Sequence, residues 1–318
     1  MTSVLLVAES DEHGQINQAT LQAVTAATDL GDAEITVVIA GEAPGSASSL
    51  AVEKVVTIST IESADVGIYE QVTTDLAALV CSTNPDVVVF GKTDFGSVVG
   101  ARLAFRVDAA FASDCIEISG TGKPINVTRP VYGGSAMAEF EIASTPAIVT
   151  LRAGAFEPST TTGSPAVESF SSGTTAEQCA SVSGTVVEAR EGVRLEDADF
   201  VVSGGRGLGG PEPFSVLADL ANVLGGAVGA SRAACDAGWI DHSHQVGLTG
   251  KSVSPDVYIA VGISGASQHM AGCSSSRAIV AINKDGDSNI FKEARFGVVG
   301  DWEKILPPFL ATVRELKA

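Results

Sequence analysis

Large aromatic side chains are scarce, 5% of 318 residues, so the core must be built from Ala, Val, Ile and Leu, which favour close packing of helix on sheet. Positive charge is scarce too: 19 lysines and arginines face 38 aspartates and glutamates, a formal net charge of −19. A negative field of that size argues against nucleic acid as a partner, because phosphate recognition needs a basic surface. It also predicts adaptation to a salt-rich cytoplasm. There a Debye length of about 3 Å at molar salt would screen the self-repulsion, and added KCl would raise the melting temperature. The five cysteines are scattered, odd in number and without a CxxC pair, which indicates reduced cytoplasmic thiols and neither a disulfide framework nor a metal site. No apolar run nears the ~20 residues of a membrane span, so no membrane insertion is expected. The short apolar run at the N-terminus is followed at once by acids, as a first strand would be. A GxSxG nucleophile elbow is missing as well, and the first half of the chain holds neither GxGxxG nor a P-loop.

What is present alternates. Residues 4–7, 35–39, Lys54–Ile58 and 86–90 read as strands, while 17–30, ending at Gly31, and 69–80 carry helix-period apolar residues. Strand and helix in turn predict a parallel sheet with right-handed crossovers. Residues 93–106 form a further helix, capped by Thr93 or Asp94. Over 109–151 short strands and turns predict an antiparallel extension, and 158–172, rich in Ser, Thr, Pro and Gly, reads as a surface connection. Residues 186–194 cross to a second domain, with the boundary near Glu188. The expectation is therefore α/β throughout: two Rossmann-like domains with mostly parallel sheets, over 1–187 and 188–318. In the second, a strand from Phe200 leads to a helix over 214–224 that Gly225 and Gly226 end.

The rest of the chain is organised around residues 257–285. Two apolar runs, 258–261 and 279–282, are β-branched and without alternating polarity, as suits strands buried on both faces. Ligands in such sheets bind outside the carboxyl ends of the strands. Ser264, Gly265, Gln268 and His269 follow the first run, and Asn283 closes the second. Arg206, Ser231, Arg232, the stretch from Gln245 through Gly247 and Thr249 to Gly250, and Asp301 fall at the other strand ends. A parallel sheet would line these groups along one rim, long enough for an extended dinucleotide such as FAD. Their spacing suits neither a catalytic triad nor a metal cluster.

The order ISG, QH, G and then a strand ending AIN, with VVSGGRGL from Val201, VGASRAACDAG from Val228, VGLTGK from Val246 and FGVVGD from Phe296, resembles the electron-transfer flavoprotein alpha subunits. In the first half, TRPVYGGSAMA from Thr128 and VTLRAGAFEP from Val149 resemble the same family, so the likeness covers nearly the whole chain. The resemblance implies a second domain that binds FAD through Arg206, Ser231, Gln245, Gly247, Thr249, Gly250, Ser264, Gly265, Gln268, His269, Asn283 and Asp301, with Arg232 over the isoalloxazine ring. It further implies His269 at the flavin C2 carbonyl, Thr249 near N5, Ser231 and the Ser264–Gly265 backbone at the pyrophosphate, and Asn283 and Asp301 at ribose or adenine. A cation or donor at the C2 end stabilises the charge of the reduced ring. Leu248 departs from the family, which usually carries glutamine there, and one neutral hydrogen bond of about 0.5–1.5 kcal/mol is then lost or replaced.

Also by resemblance, the partner is a beta subunit that holds AMP, and small-residue loops at 132–138 and 152–156 suit a covered surface. Electrons would come from acyl-CoA or other flavoprotein dehydrogenases and pass to an electron-transfer flavoprotein:quinone oxidoreductase. The chain would transform no substrate itself. Two alternatives stand beside this: a subunit of an electron-bifurcating, NADH-oxidising flavoprotein, and a non-redox nucleotide-binding module.

Overall fold

A computed structural model of the chain describes residues 1–11, 14–58, 69–134, 136–177, 183 and 193–317. It divides into two compact units, Met1–Pro130 with Met137–Glu188, and Val131–Ala136 with Ala189–Ala318. The expected boundary at Glu188, and the crossing as far as residue 192, lie outside the described residues.

The first unit is built on strands β1 (Thr2–Ala8), β2 (Ala33–Ala40), β3 (Lys54–Ile58), β4 (Val87–Gly91), β5 (Ala110–Cys115), β9 (Ala147–Leu151) and β10 (Ala166–Phe170). They form one sheet in the order β10-β3-β2-β1-β4-β9-β5, every pairing parallel. Neighbours in β1 and β4 bury opposite faces. Val4, Leu6, Val87 and Val89 pack on α1 (Gln18–Thr28) through Ala23, Val24, Ala26 and Ala27. Leu5, Val7, Val88 and Phe90 pack on α2 (Glu70–Thr83) and α3 (Asp94–Arg106) through Leu76, Val80, Val99 and Leu103. Helix starts are set by capping side chains: Asn17 accepts from Thr20 N at 2.9 Å, and Thr93 from Gly96 N at 2.9 Å.

Two expectations for this unit need correction. The antiparallel extension is shorter than 109–151, because its two ends, β5 and β9, join the parallel sheet beside β4. Only β6 (Glu117–Ser119), β7 (Ile125–Val131) and β8 (Ala136–Ile142) form a separate three-stranded sheet, in which β6 and β7 run antiparallel. The connection at 158–172 also contains β10, which pairs with β3 through residues too exposed to show an apolar pattern. Backbone pairing at a sheet edge needs no buried side chain, so composition alone hid it.

The second unit carries β11 (Phe200–Gly204), β12 (Ala227–Ala230), β13 (Val257–Val261), β14 (Ala278–Asn283) and β15 (Phe296–Val299) in the order β12-β11-β13-β14-β15, all parallel. One face buries Val201, Tyr258, Ala260, Ile279 and Ala281 against α6 (Ser267–Cys273) and α7 (Ile290–Glu293). The other buries Val202, Ile259, Val261 and Ile282 against α4 (Phe214–Leu224), α5 (Arg232–Asp236) and α8 (Trp302–Lys317). Gly225, at φ 74, ends α4 in the left-handed conformation that glycine adopts without strain. Among the described residues no helix is long and apolar enough to cross a membrane.

Candidate functional site

Counted from its own first strand, the second sheet has the order 2-1-3-4-5, which places the reversal of winding between β11 and β13. The loops leaving those two strands touch. Gly205 N donates to the Val261 carbonyl at 2.8 Å, and Gly207 N to the Gly262 carbonyl at 2.9 Å. A Cβ on Gly205 would stand 2.2 Å from the Gly262 oxygen, so only glycine lets the loops close. These residues belong to GRGLGG, Gly205–Gly210, a GxGxxG spacing between a strand and a helix that the reading of single residues passed over. In this fold its first two glycines, Gly205 and Gly207, serve loop-to-loop contact.

Backbone bonds then carry the rim outward on both sides. Ser231 N donates to the Gly204 carbonyl at 2.9 Å, Gly262 N to Ile282 at 2.9 Å, and Gly300 N to Asn283 at 2.9 Å. The strand ends that hold Ser231, Arg206, Ser264, Asn283 and Asp301 are thereby linked in one edge. The loop 245–250 lies on α6: Leu248 N donates to the Gln268 carbonyl at 2.7 Å, so the leucine at this position leaves the loop's backbone anchor in place. Its side chain is 65% exposed. Gln245, buried, donates through Nε2 to Thr249 Oγ1 at 3.0 Å, which leaves the threonine proton free to point outward.

Several of these residues also serve the protein's own structure. Asn283 donates through Nδ2 to the Ile263 carbonyl at 2.9 Å and accepts from Asp285 N at 3.0 Å, so its amide fastens the β13 and β14 loops and keeps one N–H and one lone pair beyond them. Asp301 accepts from Glu303 N at 3.1 Å and sets the first turn of α8. Gly265, at φ +75, would place a Cβ 2.3 Å from Ile290 N. The glycine is therefore demanded by the protein's own backbone, and Gly265→Val would disturb the fold itself. His269 is tucked beneath the rim, 7% exposed, with Nε2 3.0 Å from the buried Tyr258 hydroxyl. Burial pushes its pKa down from 6.5 to about 4, so the imidazole is neutral at pH 7. In the FAD-free chain it is therefore a neutral hydrogen-bonding group, not the cation that the sequence also allowed. Arg232, Arg206, Ser264 and Gln268 are exposed or nearly so, and Arg232 Nε lies 3.3 Å from Asp236 one turn along α5.

Two atoms along this edge lack what buried polar groups normally have. Ser231 precedes α5, yet its hydroxyl does not cap the helix and, although buried, has no partner. His269 Nδ1, also buried, has no partner either.

Residues 4–174 match a family model described as the electron transfer flavoprotein domain, and residues 194–274 one described as the electron transfer flavoprotein FAD-binding domain. The chain belongs to the electron transfer flavoprotein alpha subunits. It is 38% identical over 313 residues to the electron transfer flavoprotein subunit alpha of Bacillus subtilis, covering 95% of each chain. The protein of that name from Mycobacterium leprae is 36% identical over the whole of both chains. That from Thermoanaerobacterium thermosaccharolyticum is 41% identical over 76% of this chain and 75% of its own. The cofactor of such a chain is FAD, and the second unit fits it: the winding reversal supplies the crevice, and Ser231 Oγ and His269 Nδ1 are polar atoms still lacking partners.

Proposed function

We propose that this chain is the FAD-holding half of a heterodimeric electron carrier. Its partner is a beta subunit, its donors are acyl-CoA or other flavoprotein dehydrogenases, and its acceptor is an electron-transfer flavoprotein:quinone oxidoreductase. The observation that carries the reading is the buried, unpartnered hydroxyl of Ser231 at the edge of the β11–β13 crevice. A serine in that state costs about 1–3 kcal/mol unless something accepts or donates to it, and a pyrophosphate oxygen does so. The bound flavin supplies reversible electron uptake; the protein's part is to hold and bias it.

Ser231 and the Ser264–Gly265 loop would meet the phosphates, with Arg206 and Gln268 beside them. Thr249, its oxygen already bonded by Gln245, offers its proton as a directed donor to the ring, on a loop that Gly247 and Gly250 fold tightly. Arg232 reaches over the ring from α5, since its exposed pair with Asp236 is worth well under about 1 kcal/mol and is readily exchanged. Tyr132, held at φ 52 while 86% exposed, supports docking of the partner, because a strained and solvated aromatic ring has little to gain from the free chain.

Co-expression with the neighbouring subunit followed by a visible spectrum tests the assignment, with flavin bands expected. In the same complex Arg232→Ala should lower the reduction potential more than it lowers FAD affinity. A colourless complex rejects the carrier role, and an unchanged potential with full flavin content removes Arg232 from the ring.

A further inference from the structure

Beneath the rim lies a polar cluster that cofactor contact alone does not explain. Tyr258 is 0% exposed in the middle of β13, with its hydroxyl 3.0 Å from His269 Nε2. Ser203, also 0% exposed on the adjacent strand β11, lies close enough to ease the charging of the Tyr258 hydroxyl, though without closing a hydrogen bond in this geometry. The remaining neighbour, the Cys273 thiol, donates to the His269 carbonyl at 3.6 Å. A buried tyrosine at this cost in polarity calls for a reason, because phenylalanine would fill the same space.

Nε2 of His269 lies 3.0 Å from the Tyr258 hydroxyl, and Nδ1, buried, has no partner in the protein. With the ring's proton on Nδ1 the hydroxyl donates to Nε2 and only the Nδ1–H is left unmet, whereas a proton on Nε2 would make the hydroxyl an acceptor and leave Nδ1 bare as well. We propose that Tyr258 is a positioning residue: by donating to Nε2 it fixes His269 as the Nδ1–H tautomer and leaves that N–H as the ring's single donor toward the flavin. The part of this that concerns flavin rests on the function proposed above, and the tautomer does not. A fixed neutral donor stabilises negative charge on a neighbouring ring without bringing a buried cation into the oxidised state. The helix that carries His269 is held close on the 245–250 loop, since a Cβ on Gly272 would meet Gly247 N at 2.3 Å.

Nitrogen NMR of the full chain, with its four histidines labelled and His269 assigned through His269→Gln, reads the tautomer directly. One protonated Nδ1 and one bare Nε2 are expected for His269 in the wild type, and loss of that single state in Tyr258→Phe. A wild-type spectrum with the proton on Nε2 overturns the proposal, even if Tyr258→Phe fails to fold. So does a folded Tyr258→Phe that keeps the Nδ1–H state undiminished. Added FAD should shift the Nδ1 resonance in the wild type. If the tautomer is as expected but FAD leaves that resonance in place, Tyr258 still sets the tautomer, and the placement of His269 at the flavin is what fails.

Discussion

The two parallel sheets end in opposite ways. In the first, the polar groups at the carboxyl ends satisfy one another: the Thr93 hydroxyl donates to Glu9 at 2.6 Å, Glu9 N to Thr20 Oγ1 at 3.0 Å, and Arg152 grips Asp114 through two nitrogens while Lys92 stands 3.2 Å away. In the second, Ser231 and His269 keep buried atoms without partners. Unpartnered atoms of the first unit lie elsewhere, at Arg129 in the three-stranded sheet and at Thr145 before the amino end of β9. Winding offers a crevice at every such sheet, but only an edge with unmet hydrogen-bonding capacity asks for a ligand.

The sharpest way to break this comparison is to add one methyl group to each sheet. Gly96→Ala puts a Cβ 2.0 Å from the Gly91 oxygen, and Gly205→Ala puts one 2.2 Å from that of Gly262. Neither overlap is with a flexible side chain, so both should cost on the order of 3 kcal/mol or more and lower the melting temperature by more than about 5 °C. Only Gly205→Ala should also empty the chain of FAD. Equal loss of flavin from both would show that the two edges are not functionally distinct.

Next in size is a pH effect confined to the second sheet. His269 takes up its proton near pH 4 when folded and near 6.5 when unfolded, so the unfolded chain binds more protons between those values and stability falls as pH drops through that window. At about 1.4 kcal/mol per unit, the loss approaches 3 kcal/mol. His269→Gln should flatten this part of the profile in melts from pH 7 to 4, and an unchanged slope would mean that the imidazole is not buried neutral.

The first sheet has a counterpart of opposite character. Burial pushes the Asp114 carboxyl up, but the hydrogen bonds from Arg152 and the charges of Lys92 and Arg152 outweigh it and hold the pKa below its usual 3.8. Its stabilisation is therefore present above pH 3.8 and lost as pH falls through the lower, folded value. Asp114→Asn should cost about 2 kcal/mol at pH 7, less in strong acid, with FAD content unchanged. A drop in flavin would tie the first sheet to the cofactor after all.

How much of this the sequence could say follows from the same contrast. Runs such as 86–90 and 279–282 revealed buried parallel strands because burial on both faces forbids polar residues, and the motifs around Ser231 and Ser264 fell at strand ends as the alternation required. β10 was hidden because an edge strand needs no apolar side chains. At the site, identity was legible and orientation was not. Nothing in QH says that His269 turns inward to a tyrosine eleven positions back along the chain, or that the Asn283 amide ties two loops together. Those facts depend on which backbone carbonyls the fold brings near.

The smallest effect is the most discriminating. Thr93 and Ser231 both stand at the cap position of a helix on a parallel sheet, and both are buried in part, but Thr93 caps α3 and bonds Glu9 while Ser231 does neither. Thr93→Ala should therefore destabilise the chain by about 1 kcal/mol. Ser231→Ala removes an unsatisfied hydroxyl and leaves a methyl in the same space, so the FAD-free chain should be unchanged or gain a few tenths of a kcal/mol. With the cofactor the sign reverses: the lost hydrogen bond, to a charged phosphate, should weaken FAD binding by roughly 1.5–3 kcal/mol, a factor of about 10 or more. Melts without FAD, set beside FAD titration of each variant, separate the two effects. If Ser231→Ala destabilises the FAD-free chain as Thr93→Ala does, its hydroxyl has a protein partner, and the open hydrogen-bonding capacity assigned to the second sheet is lost at its best-defined point.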